Sequence, residues 1–319
     1  MSTHSPSLWK ILSQTWRIIT AHPRHFLALS VLFLLPVSLS AMVYTFLLQP
    51  TSLHSHYLQS LFVIPTPDPQ IPPSPKPHLL ISLLYILSLL LYSLCANSSI
   101  TYSTFTAFYD EPVKFIPSLK SITSSFFPLL ATLLTKQIML GSIIFAFGVL
   151  MLVAYNGLAL LGLETDYSSR FFLIFVIVIS VILGLALVYL QVGWCLSGAV
   201  VVLESKWGFE SLRRSSYLVK GARSVVLSVM VLFGCFGGIL TTWYSNLVAN
   251  NAGGVSTGWV FVQMVAYVVF STVLSLYGLV ANTVLFVYCK ESHGEMGLLI
   301  DENGKEYITL ATHGNCVIL

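Results

Sequence analysis

The sequence predicts an all-α, polytopic membrane protein with about six transmembrane helices, and three observations carry that expectation. Of 319 residues, 56% are hydrophobic and only 8% charged, against roughly 25% charged in a soluble domain. No Asp, Glu, Lys or Arg occurs in 25–67, 77–109, 137–163, 171–203 or 224–289, and a helix crossing hydrocarbon needs about 20 such residues. The cations also cluster in alternate connections, as the positive-inside rule expects.

In chain order, residues 1–25 form an expected cytosolic N-terminus with an interfacial helix. Leu8, Ile11, Leu12, Trp16 and Ile19 fall on one apolar stripe, with Lys10, Gln14 and Arg17 opposite. The segment lacks acids and is rich in Ser and Thr, which leaves an organelle transit peptide as the alternative; no cleavage site follows. The membrane domain is expected over 26–289, with spans at 26–47, 79–99, 138–160, 171–195, 225–247 and 259–287. Pro36 lies inside the first span and should kink it. The fourth charge-free run is too long for one perpendicular crossing, so a tilt or a bend near Gly193 is expected.

The loop at 48–77, on the outer side, holds eight of the 14 prolines and should be a stiff polyproline segment. Cytosolic elbows are expected at 109–137 and 203–224, and a cytosolic tail at 290–319. In the first elbow, Phe115, Leu119, Ile122 and Phe126 form a stripe, with Lys114, Ser118 and Ser121 away from it. In the second, Phe209, Leu212, Ser216 and Val219 form a weaker one, against Glu210, Arg213, Arg214, Tyr217 and Lys220. The pattern repeats three times, an interfacial amphipathic helix followed by a transmembrane hairpin. Orientation follows from Lys and Arg: 12 lie on the side of the termini and two, Lys76 and Arg170, on the other. Both termini are therefore expected in the cytosol.

The stretch from Val202 to Gly221 carries the most recognisable pattern, with Glu204, Arg214, Ser215, Leu218 and Gly221 at its fixed places. It resembles the loop leading into the fifth helix in a broad family of six-span proteins. That family includes the membrane domain of some bacterial glycerophosphodiester phosphodiesterases. With Thr15-Trp16, Asp110-Glu111-Pro112 and Tyr288-Cys289-Lys290, the chain also resembles uncharacterised plant polytopic membrane proteins. The resemblance implies a six-helix architecture and no activity, and no soluble segment here is long enough for the phosphodiesterase catalytic domain. Without the resemblance, Glu210 and Arg214 are four apart on a helix and suited to pair, and Gly221 suits a left-handed cap. Arg213, Arg214, Lys220 and Arg223 are the candidates for contact with anionic lipid; ordinary anchoring is the plainer alternative.

Catalytic chemistry finds little support, so no catalytic residue, cofactor or metal is assigned. Lys136 is the one charge near a membrane interior, and snorkelling accounts for it. His54 and His56 lack the partners a metal site needs. The hydroxyls at Ser98, Ser99, Thr101, Tyr102, Ser103, Thr104 and Thr106 either line a polar path or bond between helices. Gly234 and Gly238 make a GxxxG pair that permits close helix approach. No basic patch interleaved with aromatics points to nucleic acid. Asn303-Gly304 between apolar runs signals a β-hairpin in the tail, resting on the membrane domain or on a partner.

Together these features favour a non-catalytic, multi-pass endomembrane or plasma-membrane organiser that contacts lipids, including anionic headgroups, or a cytosolic protein at its tail. A transporter of an apolar or amphipathic solute is the alternative, and a lipid-modifying enzyme the third. Two cysteines are lipidation candidates: Cys316, in a C-a-a-X ending with terminal Leu, for geranylgeranyl, and Cys289, at the inner end of the last span, for palmitoyl. Cys316→Ser should abolish geranylgeranyl labelling in cells; equal label in variant and parent refutes the assignment.

Overall fold

The computed structural model describes residues 7–48, 76–109, 115–160, 170–250, 257–294, 296–300 and 306–310. The proline-rich loop, with His54 and His56, lies outside these residues, as does Cys316. Helix α1 is Leu8–Ala21, α2 is Pro23–Leu29, and α3 is Leu35–Leu48. Helices α4 (Lys76–Phe108), α5 (Phe115–Leu160) and α6 (Arg170–Gly193) follow. The short α7 (Ser197–Glu204) and α8 (Phe209–Val219) lead to α9 (Arg223–Asn250) and α10 (Thr257–Ser292). Strands β1 (Met296–Ile300) and β2 (Glu306–Leu310) pair antiparallel, Met296 opposite Leu310 and Ile300 opposite Glu306. The tail hairpin expected around Asn303-Gly304 is therefore formed, with those two residues outside the described part.

Six helical segments are long and apolar enough to cross a membrane: Pro23–Tyr44, Ile81–Phe108, Phe115–Val153, Ile174–Glu204, Arg223–Leu247 and Trp259–Ser292. Their outer surfaces are apolar. Leu83, Leu87, Phe145, Ile177, Ile182, Ile239 and Phe261 are all exposed, an arrangement that water would penalise and lipid would not.

Around Pro36 the first span takes up the missing donor by widening. Residues Ser30–Leu34 form a π-turn, in which the Leu35 N–H bonds the Ser30 carbonyl five residues back. The fourth span breaks after Gly193, where Trp194–Leu196 turn before α7 begins, in the place the length of the run requires. The expected interfacial helix in the first elbow is not a separate element. Phe115–Leu160 is one helix of 46 residues, about 70 Å long at ~1.5 Å per residue, so it runs well beyond ~30 Å of hydrocarbon.

The chain divides into two compact units: 1–14, 120–230 and 282–319 form one, and 15–119 and 231–281 the other. In the second unit the interior is lined with hydroxyls. Ser98, Ser99, Ser103 and Thr104 of α4 are fully or almost fully buried. The Ser103 hydroxyl meets Ser118 Oγ at 2.9 Å and His25 Nε2 at 3.0 Å. Thr272 and Ser38 pair at 3.1 Å, and the Tyr244 hydroxyl donates to the Met42 carbonyl at 3.2 Å. Tyr44 stacks on Tyr85 with ring centroids 4.0 Å apart. Among the α4 hydroxyls, Ser103 bonds to other helices, whereas Ser99, Thr104 and Thr106 bond carbonyls of their own helix.

The amphipathic stripes divide between the interior and the outer surface. On α5, Ser118 is fully buried and Phe115 exposed. On α1 the buried residues are Ile11, Thr15 and Ile18, whereas Trp16 is exposed and stacks on Tyr277. On α8, Ser211, Leu212, Ser215, Leu218 and Val219 are buried and Phe209 is exposed. With lipid outside, small hydroxyl residues turn in and large apolar ones turn out.

Gly221, just past α8, has φ +106° and open space where a Cβ would stand. Gly221→Ala should cost about 1–2 kcal/mol through the backbone alone, read as a lower melting temperature in detergent. Gly234→Ala, in a helix with equally open space, should match or exceed the parent, since helical Gly costs about 1 kcal/mol relative to Ala.

Candidate functional site

The first unit contains a buried ionic cluster where α7, α8 and the end of α10 meet. Glu204 closes α7, and the chain then turns through Ser205, whose φ of 54° is left-handed. Gly208, with φ 64° and ψ −136°, starts α8 in a conformation that only glycine adopts readily. The turn brings α8 back against α6 and α7, so that Arg214 faces Glu204. The guanidinium Nε donates to Glu204 Oε2 at 2.9 Å and Nη2 donates to Oε1 at 3.2 Å. Lys290 Nζ donates to the same Oε1 at 3.2 Å. The Glu204 and Lys290 side chains are 3% and 2% exposed, and Arg214 is 19% exposed. Arg214 also lies 5.6 Å from the Tyr217 ring centre, and Lys290 lies 5.8 Å from that of Phe286, positions in which a ring face stabilises a cation.

Arg214 thus pairs with Glu204 and not with Glu210, as helical spacing had suggested. Glu210 instead meets Lys206 at 3.4 Å on the exposed side. The i, i+4 rule describes neighbours along one helix; a carboxylate buried at the end of another helix outcompetes an exposed one.

The serines of the same segment serve the broken span. Ser215 Oγ donates to the Gly193 carbonyl at 2.8 Å, and Ser211 Oγ donates to the Ser197 carbonyl at 2.9 Å. A helix break frees backbone carbonyls that lipid cannot satisfy, and α8 supplies the donors. Ser211, Arg214, Ser215 and Leu218 are spaced three and four apart, so they share one face of α8. Leu218 is fully buried, and the turn at Lys220-Gly221 releases the chain into α9. Each residue of the recognised pattern therefore has a structural task. At its start, the Gly208 N–H donates to Thr132 Oγ1 at 2.8 Å, which ties the elbow to α5.

Of the candidate lipid contacts, Arg213, Lys220 and Arg223 are exposed, and Arg223 lies 4.8 Å from the Tyr189 ring centre. Arg214 is held inward by Glu204. Beside the exposed cations stand the exposed rings of Trp207, Phe209 and Tyr217. Cys289 is fully buried. Among the described residues, no group of three or more His, Cys, Asp or Glu could hold a metal ion. Sequence reasoning missed Lys290 as the second partner of Glu204, 86 positions away, and the use of Ser211 as a donor. Local spacing contains no signal for either; the charge at Lys290, directly after a long uncharged run, is the nearest hint.

Six membrane-length helices with polar side chains turned inward define an integral, multi-pass membrane protein of the α-helical class. The chain belongs to the family described as Domain of unknown function (DUF8558), which it matches over residues 6–303. No curated protein matches the chain, and no solved structure does.

Removing the carboxylate takes the anion away from the buried Lys290 ammonium. Glu204→Gln should cost about 3 kcal/mol or more, measured by unfolding in mixed micelles. Glu210→Gln, at an exposed pair, should change stability by less than about 1 kcal/mol.

Proposed function

We propose that this protein is a non-catalytic endomembrane organiser, with both termini in the cytosol, that gathers anionic lipid and cytosolic partners at the inner leaflet. The supporting observation is the division of labour within the elbow. Glu204 and Lys290 hold Arg214 inward, while Arg213, Lys220 and Arg223 face outward beside Trp207, Phe209 and Tyr217. Exposed aromatics settle at the headgroup level, and each adjacent Lys or Arg contributes about 1 kcal/mol of attraction to an anionic surface. In this reading the chain is three hairpins, with α1 and α8 as surface helices ahead of the first and third. The leading part of α5 does the same work ahead of the second without a break in the helix. The tail hairpin and its flanking acids are the element available to a partner.

The transporter reading would route solute along the hydroxyls of α4, but those side chains already bond to Ser118, His25 and backbone carbonyls. The shortest serine–histidine contact the enzyme reading has to draw on among the described residues is Ser103 with His25, at 3.0 Å. Ser103 is fully buried and also donates to the Ser99 carbonyl, and the nucleophile of a hydrolase has to reach its substrate.

The test uses the full chain in liposomes containing fluorescent phosphatidylserine. The parent should enrich that lipid around itself relative to phosphatidylcholine. The combined variant Arg213→Gln, Lys220→Gln and Arg223→Gln should lose at least about tenfold of the preference, given about 1 kcal/mol per cation. An unchanged preference would contradict the proposal.

A further inference from the structure

We infer that the tip of the elbow, Trp207-Gly208-Phe209, is a preformed aromatic wedge that enters a loosely packed lipid leaflet, with Thr132 as the residue that positions it. The inference rests on the proposed contact of the elbow with lipid. It adds a second kind of recognition there, of lipid packing and not of charge. The chain length limits what the tip can meet. The fourth membrane-length segment ends at Glu204 and the fifth starts at Arg223, so the elbow leaves and re-enters one face of the bilayer. Trp207 stands three residues beyond Glu204, a reach of at most about 10 Å. The headgroup layer on each side is about 5–8 Å deep, so the tip starts its course within or beside it. Trp207 is 63% exposed and Phe209 60%, and lipid at that depth is the partner that covers both rings.

The backbone between the rings is pinned to α5. Gly208 has φ 64° and ψ −136°, and its N–H donates to Thr132 Oγ1 at 2.8 Å. Thr132 is buried, and its own hydroxyl hydrogen goes to the Pro128 carbonyl at 2.8 Å, which leaves the oxygen lone pairs to accept. Thr135, a neighbour on the same face of α5, has its Oγ1 3.8 Å from where a Cβ on Gly208 would stand. A free loop folds such rings back onto the protein to escape water, whereas a pinned one holds them out. Their ordering cost is then met on folding and not on binding. The charge beside the rings is also cancelled, because Lys206 meets Glu210 at 3.4 Å. The tip is thus neutral, and the exposed cations Arg213, Lys220 and Arg223 come later in the elbow. Neutral rings gain from apolar surface left open between headgroups, and such binding varies with lipid composition and curvature. The indole N–H stays at headgroup level while the ring body enters. Unsaturated lipids with small headgroups leave the most open surface, which makes a leaflet rich in phosphatidylethanolamine the matching partner.

The experiment measures the depth of Trp207 in the full chain, reconstituted in liposomes without anionic lipid. The signal is the emission quenched by dibrominated phosphatidylcholine in the parent beyond that quenched in Trp207→Phe. The parent should show this Trp207 quenching, more from bromines placed near the headgroups than from deep ones. It should rise when phosphatidylethanolamine replaces part of the dioleoyl phosphatidylcholine, and high salt should leave it unchanged. Thr132→Val, which keeps the shape but loses the acceptor, should lose most of the quenching, and Thr132→Ser should restore it. Melting curves check that Thr132→Val is folded, and Thr132→Ala replaces it if it is not. A parent whose Trp207 is unquenched overturns the inference, as does quenching that salt removes or that is equal in both lipid mixtures. Parent-like quenching in a folded Thr132→Val protein overturns the positioning role. Because no anionic lipid is present, failure here is distinct from failure of the phosphatidylserine preference.

Discussion

A carboxylate taken out of water has to be neutralised where it stands, and at Glu204 the neutralising groups come from two other helices. Arg214 arrives on the short helix that folds back beneath the fourth span, and Lys290 arrives at the end of the last span. Removing either cation strands charge in a poorly solvated place. The cluster therefore acts as a constraint on geometry more than as a source of net stability. Once Arg214 is fixed, Ser211 and Ser215 on the same face reach the carbonyls freed by the break after Gly193. The outward cations of the elbow owe their position to the inward one.

Lipid as the surrounding medium explains the rest of the packing. In water, the large apolar side chains would be interior and the hydroxyls outside; here Ser98, Ser99, Ser103 and Ser118 are interior and Phe145, Ile177 and Phe261 face outward. Small hydroxyl residues let helices approach closely and satisfy one another or the carbonyl one turn back. The Thr132 hydroxyl shows both uses, donating to the Pro128 carbonyl and accepting from Gly208. The π-turn before Pro36 has the same logic, since backbone groups in hydrocarbon must find a partner within the protein.

The spans were legible because hydrocarbon excludes charge, and uncharged runs mark where the chain enters it. The break near Gly193 was legible from the length of one run. Other features were not. On α5 the apolar stripe of Phe115 and its neighbours is visible in the sequence, but not that Ser118 forms the buried face. Glu210 was matched to Arg214 because helical spacing is visible in a sequence, while the contact that forms joins positions 204, 214 and 290 through the tertiary fold. The recognised pattern named the right residues without indicating their tasks.

The central claim is that the Glu204 cluster orders the elbow against the end of the last span. Encoded spin-label residues at positions 213 and 291, both exposed, report that geometry through the distance between them in the full chain in liposomes. The account predicts one narrow distance distribution in the parent and a broad one after Glu204→Gln. A narrow, unshifted distribution in a folded Glu204→Gln protein would contradict it.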